Sequence, residues 1–197
     1  MGRGGSRRTD RGGQRTGGGE RLSRFLAFVL RHHPEEAGLE LDPQGAVDLD
    51  VLAEAIRARP GFDRVTREHI ERLATLGPGA ARFEIRDGRI RARYGHSMSQ
   101  PIDYDAADPP GDLFHGTGPE AAEQILAEGL HSAERQRVHL SVDTPAAREV
   151  GRRRCPEPVV LRIDTACAAR AGIRFYLGGP AVWLADDIPA ECIHRMD

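Results

Sequence analysis

The sequence predicts an α+β protein built as two lobes, and three observations lead there. Apolar residues recur at helical spacing up to residue 76, short alternating apolar runs dominate after residue 112, and Pro101, Pro109, Pro110 and Gly111 stand between them among acidic side chains. The expected segments are an unstructured Gly/Arg-rich tail over residues 1–20, a helical lobe ending in a β-hairpin over 21–96, a linker over 97–112 and a β-rich lobe over 113–197.

The tail contains no large apolar side chain after Met1, so nothing in it offsets the entropy of ordering. From Leu22 the spacing of Leu22, Phe25, Leu26, Val29 and Leu30 predicts an amphipathic helix that Pro34 stops, leaving Arg31, His32 and His33 at its end. Residues 48–57 and 66–76 predict two more helices, the latter capped by Thr66 and stopped by Gly77. Residues 82–93 alternate about an Asp87-Gly88 turn and predict a hairpin, so three helices and a hairpin point to a winged-helix arrangement. After the linker, strands are expected at 113–115, 138–142, 158–163, 174–177, 181–184 and 192–194, and helices at 119–128 and 144–151.

Composition narrows the function without naming it. A chain of 197 residues that is 39% hydrophobic and 29% charged is an ordinary soluble globular protein of one domain or two small ones. Its formal net charge of -2 excludes a polycation that coats nucleic acid indiscriminately, so any anion site must be local. All 28 basic residues are Arg, which reflects either coding bias or a demand for bidentate phosphate contacts. Cys155, Cys167 and Cys192 are odd in number and lack metal-site spacing, so neither a disulfide framework nor a zinc ribbon is indicated and a reducing cytoplasm is expected. No apolar run reaches the roughly 18 to 20 residues that span a bilayer, and the amino terminus has no apolar segment behind its positive charges, so neither membrane association nor export is expected.

Five constellations can carry chemistry. Arg31-His32 ends the first helix, where cations also serve simply to complement the helix dipole. Arg91 and Arg93 share one side of a strand opposite Ile90 and Ala92, and Gly95-His96-Ser97 follows with close backbone approach and two hydrogen-bonding side chains. Leu113-Phe114-His115-Gly116-Thr117-Gly118 runs from a strand through a glycine-flanked turn to a helix opening at Pro119, a place for a dinucleotide's phosphates or ribose, although no Rossmann fingerprint is present. His139 and Ser141 project from the same face of a strand. Arg152-Arg153-Arg154 is either a solvated loop or a phosphate clamp. Metalloprotease, serine hydrolase and P-loop motifs are absent from the sequence.

Taken in order, residues 22–34 (LSRFLAFVLRHHP), 82–85 (RFEI), 90–97 (IRARYGHS), 114–117 (FHGT), 138–141 (VHLS), 150–153 (VGRR) and 182–184 (VWL) resemble the RNA 2′-phosphotransferase family of the KptA type. Each motif is weak alone, but seven in the right order are specific. The resemblance implies a winged-helix lobe that binds RNA, an ADP-ribosyltransferase-like lobe that binds NAD, and a site in the cleft between them. It places the RNA 2′-phosphate on Arg31, His32, Arg91 and Arg153, and NAD on His115, Gly116, Thr117, His139 and Ser141 with Val182 at the nicotinamide end. Arg93, His96, Ser97 and Arg152 are expected as further RNA or phosphate contacts; family members often carry a small residue at position 152, and only the Val-Gly-x-Arg register selects Arg153.

The implied reaction has two steps. The 2′-phosphate attacks the nicotinamide-bearing ribose carbon of NAD, giving an ADP-ribosylated RNA phosphate; a ribose hydroxyl then attacks phosphorus, giving a 2′-hydroxyl RNA and ADP-ribose 1″,2″-cyclic phosphate. A phosphate monoester is already largely ionised near neutrality, so arginines that position it replace a catalytic base. Arg91 and Arg153 are expected to stabilise the phosphoryl charge, and His32 to hold the phosphate or protonate the departing RNA oxygen. No metal is expected, RNA with an internal 2′-phosphate is the expected partner, and a monomer is the default. Two other readings remain: an ADP-ribosyltransferase acting on nucleic-acid phosphates without the second step, and a winged-helix binding module without turnover, which leaves residues 115–117 and 138–141 unexplained.

Overall fold

The computed structural model describes residues 15–76 and 80–196. Helix α1 (Arg15–Arg31) is followed by a single 3-10 turn, β1 (Ala46–Asp48), α2 (Leu49–Arg57), α3 (Arg67–Thr75) and the hairpin β2 (Phe83–Arg86) and β3 (Arg89–Ala92). The second half runs β4 (Leu113–Thr117), α4 (Pro119–Glu128), β5 (Val138–Ser141), α5 (Thr144–Arg152), β6 (Val159–Ile163), α6 (Thr165–Arg170), β7 (Phe175–Gly179), β8 (Val182–Ala185) and β9 (Ile193–Arg195). The chain is thus mixed α and β with two antiparallel sheets, one ordered β1-β3-β2 and the other β7-β8-β5-β4-β6-β9.

Local chemistry explains most boundaries. The Asp48 carboxylate accepts from the backbone N–H of Asp50 and Val51 at 2.8 and 3.1 Å and starts α2. Thr66 and His69 form a reciprocal capping box at the start of α3. Asp87 and Gly88 take φ of 51° and 74°, the mirror-image turn whose twist suits a two-residue hairpin. Pro34 ends α1, as expected, but the helix begins at Arg15, so residues 15–20 of the expected unstructured tail are helical. Burial of Leu22, Leu26, Val29 and Leu30 anchors the helix, and the preceding turns extend it one hydrogen bond at a time. Residues 1–14 of that tail lie outside the described residues.

Each sheet has its own apolar cluster. Leu26, Leu30, Leu49, Leu52, Ile56, Ile70, Phe83 and Ile90 pack together beside the small sheet; Leu113, Leu161, Ile163, Phe175, Trp183 and Ile193 belong to the large one. Each such side chain contributes about 1.5 to 3 kcal/mol by leaving water. The segment expected as a linker is held between the two. Ile102 is buried, Asp103 N–H donates to Pro43 at 2.9 Å on one side, and Ala107 N–H donates to Phe175 at 2.9 Å on the other. Proline supplies an extended backbone with few donors, a property that suits adhesion as well as flexibility.

Cys167 and Cys192 are joined by a disulfide, contrary to the expectation from spacing. The two are 25 residues apart, and only the packing of α6 beneath the turn before β9 brings their Cα atoms to 5.5 Å. Cys155 is the remaining free cysteine among the described residues. Among those residues, no helix is long and apolar enough to cross a membrane.

Candidate functional site

The end of α1 supplies the first part of the site. His32 Nδ1 is hydrogen-bonded to Ser97 Oγ at 2.7 Å, and Ser97 N–H donates to the Arg31 carbonyl at 3.0 Å, so the Gly-His-Ser segment is tied directly to Arg31-His32. The Arg31 guanidinium lies over the Tyr94 ring, 5.1 Å from its centroid. Gly95 (φ 89°) turns the chain there, and a Cβ on it would stand 3.5 Å from the Arg31 side chain. Arg31 Nε and Nη2 are buried without a hydrogen-bond partner. Burial lowers the pKa of Arg31, helped by Arg82 and Arg135 and opposed by Tyr94, yet a guanidinium stays charged. Orphaned charged donors cost about 1 to 3 kcal/mol each, a cost that an arriving anion removes.

Arg91 lies in β3 and Arg93 just beyond its end, and both are engaged by Glu84. Glu84 takes the Nε and Nη2 of Arg91 at 2.7 and 2.6 Å on one oxygen, and Arg93 Nη1 at 3.2 Å on the other. Burial raises the Glu84 carboxyl, but the two arginines outweigh it and hold it below its ordinary value. Glu84 stands directly across from Arg91 in the hairpin register, a pairing visible only once the turn is set.

The large sheet supplies a different surface. His115 Nδ1–H donates to the His139 carbonyl at 3.1 Å, and His139 Nδ1–H donates to the Arg137 carbonyl at 3.0 Å. A carbonyl only accepts, so both rings carry their proton on Nδ1 and present Nε2 as a lone-pair acceptor. The Nε2 of His139 is buried and unpartnered, and burial followed by the charge of Arg135 pushes its pKa down to about 3. Burial likewise lowers His115. Thr117 and Ser141 are buried polar residues, and Val182 pairs with Ser141 across β5 and β8.

Gly116 is needed for packing. A Cβ there would run into the Ala147 carbonyl of α5, and one on Gly151 would come within 3.1 Å of the Gly116 carbonyl carbon. These two glycines let α5 lie against β4, which brings Arg153, the residue that caps α5, to the end of the His-Gly-Thr strand.

Tyr94 joins the two surfaces. Arg31 covers its face, and its ring meets that of His139 edge-on at 5.8 Å between centroids. Tyr94 and Glu84 lie within the stretches 90–97 and 82–85, but one aromatic between Arg93 and Gly95 and one acid in a hairpin carry no local signal of a role. Two further expected contacts, His96 and Arg152, have neighbours of their own within the protein. His96 is 2% exposed, its Nδ1 is hydrogen-bonded to Tyr104 at 2.6 Å, its Nε2 is buried without a partner, and burial pushes its pKa down to about 4. Arg152 is exposed and lies 3.9 Å from Glu149. Among the described residues, no group of His, Cys, Asp and Glu is arranged to hold a metal ion.

Residues 18–187 match the model of a family described as RNA 2′-phosphotransferase, Tpt1 / KptA family. The chain is 41% identical to a protein of Hyperthermus butylicus over 88% of this chain and 78% of that protein. It is 42% identical to one of Acetivibrio thermocellus over 88% of this chain and 94% of that protein, and 43% identical to one of Agrobacterium fabrum over 85% and 89%. All three carry the name "Probable RNA 2′-phosphotransferase".

Proposed function

The chain belongs to the RNA 2′-phosphotransferase, Tpt1 / KptA family, and from that premise we propose that it transfers an internal RNA 2′-phosphate to NAD. The products are nicotinamide, RNA with a 2′-hydroxyl and ADP-ribose 1″,2″-cyclic phosphate. The observation that carries this reading is the buried, unpartnered guanidinium of Arg31 beside His32 and Tyr94. In this reading the small sheet and its helices form a winged-helix RNA lobe, and the large sheet forms an ADP-ribosyltransferase-like lobe.

On the RNA side, Arg31 holds the phosphate through Nε and Nη2, the paired donors that a phosphate accepts in a fork. Arg153 reaches the same anion from the end of α5, and Arg91 is held by Glu84 with Nη1 left for the phosphate. Burial and the neighbouring Arg31 lower the pKa of His32, so the resting ring is largely neutral at pH 7; a dianion beside it reverses that balance and charges it for proton transfer to the departing RNA oxygen.

NAD, when bound, supplies an electrophilic ribose carbon with nicotinamide as its leaving group. The residues fit such a ligand: the neutral Nε2 acceptors of His115 and His139 suit ribose hydroxyls, and Thr117, Ser141 and Val182 line the adjoining strands, with Gly116 keeping α5 close behind them. Hydroxyl donors facing acceptor nitrogens remove the cost of the orphaned His139 Nε2.

The test is incubation of the purified protein with a short RNA bearing an internal 2′-phosphate, with and without NAD and without added metal. NAD-dependent appearance of a 2′-hydroxyl and the cyclic phosphate is expected; RNA left untouched in the presence of NAD overturns the reading. Accumulated ADP-ribosylated RNA would convert it to a transferase that stops after one step. A His32→Ala protein with full second-step turnover would remove His32 as proton donor.

A further inference from the structure

Resting on that function, we propose that Gln136 is a positioning residue, whose carboxamide latches residues 96–102 to the head of β5 and so sets Ser97 against His32. Residues 96–102 form neither helix nor strand, so their backbone polar groups have no ladder to satisfy them and must find partners elsewhere. Gln136 supplies four. Its Nε2 donates to the carbonyls of Met98 and Gln100 at 2.9 and 2.7 Å, its Oε1 accepts from Ile102 N–H at 2.9 Å, and its backbone N–H donates to the His96 carbonyl at 3.0 Å. Two carbonyls against one end of the amide fix that end as the nitrogen, so both of its protons and the oxygen are committed. Among the described residues, no other side chain bonds to the backbone of residues 98–102.

The same stretch is tied at its start to the phosphate side of the site. Ser97 N–H donates to the Arg31 carbonyl at 3.0 Å and Ser97 Oγ meets His32 Nδ1 at 2.7 Å, so the place of residue 97 sets the orientation of the His32 ring. At its other end, Asp103 N–H donates to the Pro43 carbonyl at 2.9 Å, in the loop before β1. Strand β5 begins two residues after Gln136 and carries His139. Contacts therefore run without a break from His32 through Ser97 and His96 to Gln136, and along the chain to His139, joining the two sides of the site. Glutamine is the side chain this place demands. Glutamate would set an oxygen against two carbonyls, and methionine would fill the same length without a hydrogen bond. Loss of the carboxamide leaves the backbone bond to His96, so the segment loosens without detaching.

The experiment compares the wild type with Gln136→Met, Gln136→Glu, Ser97→Ala and the double variant Gln136→Met/Ser97→Ala. Gln124→Ala, an exposed amide of α4, is the control. Steady-state kinetics should show kcat lowered about 10- to 100-fold in Gln136→Met, with both KM values within about threefold of the wild type, Gln136→Glu at least as slow, and the control unchanged. Because Gln136 acts through Ser97, the double variant should fall no further than about twofold below the less active single variant. Amide hydrogen exchange should quicken at Ser97 and Ile102 in Gln136→Met, while the amides of β4 and β6 stay as protected as in the wild type. An unchanged kcat, or additive losses in the double variant, overturn the proposal. Faster exchange throughout β4 and β6 overturns it too, by making Gln136 a general stabiliser of the fold. A wild type without turnover defeats the functional reading instead, and exchange at Ser97 and Ile102 still decides the latch, which unaltered rates overturn.

Discussion

The small sheet and the large sheet bring opposite kinds of polar group to the same seam. Around the small sheet the groups are cations: Arg31 with two orphaned donors, and Arg91 and Arg93 restrained by Glu84. On the large sheet they are neutral: two imidazoles with their Nδ1 protons committed to carbonyls, and the hydroxyls of Thr117 and Ser141. Arg31 thus offers donors without acceptors, and His139 an acceptor without a donor. Tyr94 touches both surfaces, its face covered by Arg31 and its edge against His139.

The comparison is broken most sharply at Arg31. Arg31→Ala removes preorganised positive charge and should lower kcat/KM for phosphorylated RNA by about 100- to 1,000-fold. Its melting temperature should stay within a few degrees of the wild type, because no protein partner of Nε or Nη2 is lost. A large fall in stability with intact kinetics would mean that Arg31 is a structural cation.

Acid separates the two surfaces next. His96 and His139 have folded pKa values of about 4 and about 3, below their ordinary 6.5, so the fold binds fewer protons than the unfolded chain. Stability is therefore full above about pH 6.5 and falls as the pH drops toward 4, by about 3 kcal/mol from His96 alone. The carboxylates depressed by partners, Glu84 among them, add their loss only below about 4.5. Thermal melts between pH 7.5 and 4 check this, and His96→Gln should flatten the profile.

On the large sheet, His139→Phe keeps a ring against Tyr94 and deletes the acceptor. It should raise the KM for NAD about tenfold, the worth of one hydrogen bond, and leave the KM for RNA unchanged. The smallest effect belongs to Arg152→Ala, which should alter neither KM by more than about twofold, since Arg152 is solvated beside Glu149. A strong defect there would move the phosphate site outward along α5.

The elements that were legible in the sequence are those governed by neighbours in the chain. The Asp87-Gly88 hairpin, the Thr66 cap, the stop at Pro34 and helix α4 follow from local spacing and backbone preference. Strand β1 escaped notice because three residues show no period, and α6 because its apolar content resembles a strand end. Within the site, Arg31, His32, Ser97, His115 and His139 were named from motifs, and the structure joins the first three and the last two by direct hydrogen bonds. The roles of Glu84 and Tyr94 are not legible in their motifs, since one depends on the register of the hairpin and the other on a ring from the large sheet.

By itself the sequence determined most of the helices and strands, that any anion site is local in a chain of net charge -2, and the family to which the chain belongs. Tertiary structure alone decided that His96 is buried while Ser97 faces His32, that Gly116 admits a helix backbone, that Cys167 finds Cys192, and that the proline-rich segment bonds to the loop before β1 and to β7. The physical reason is range: caps, turns and periodicity depend on residues within one or two turns, whereas burial and charge depend on whatever the packed core brings alongside.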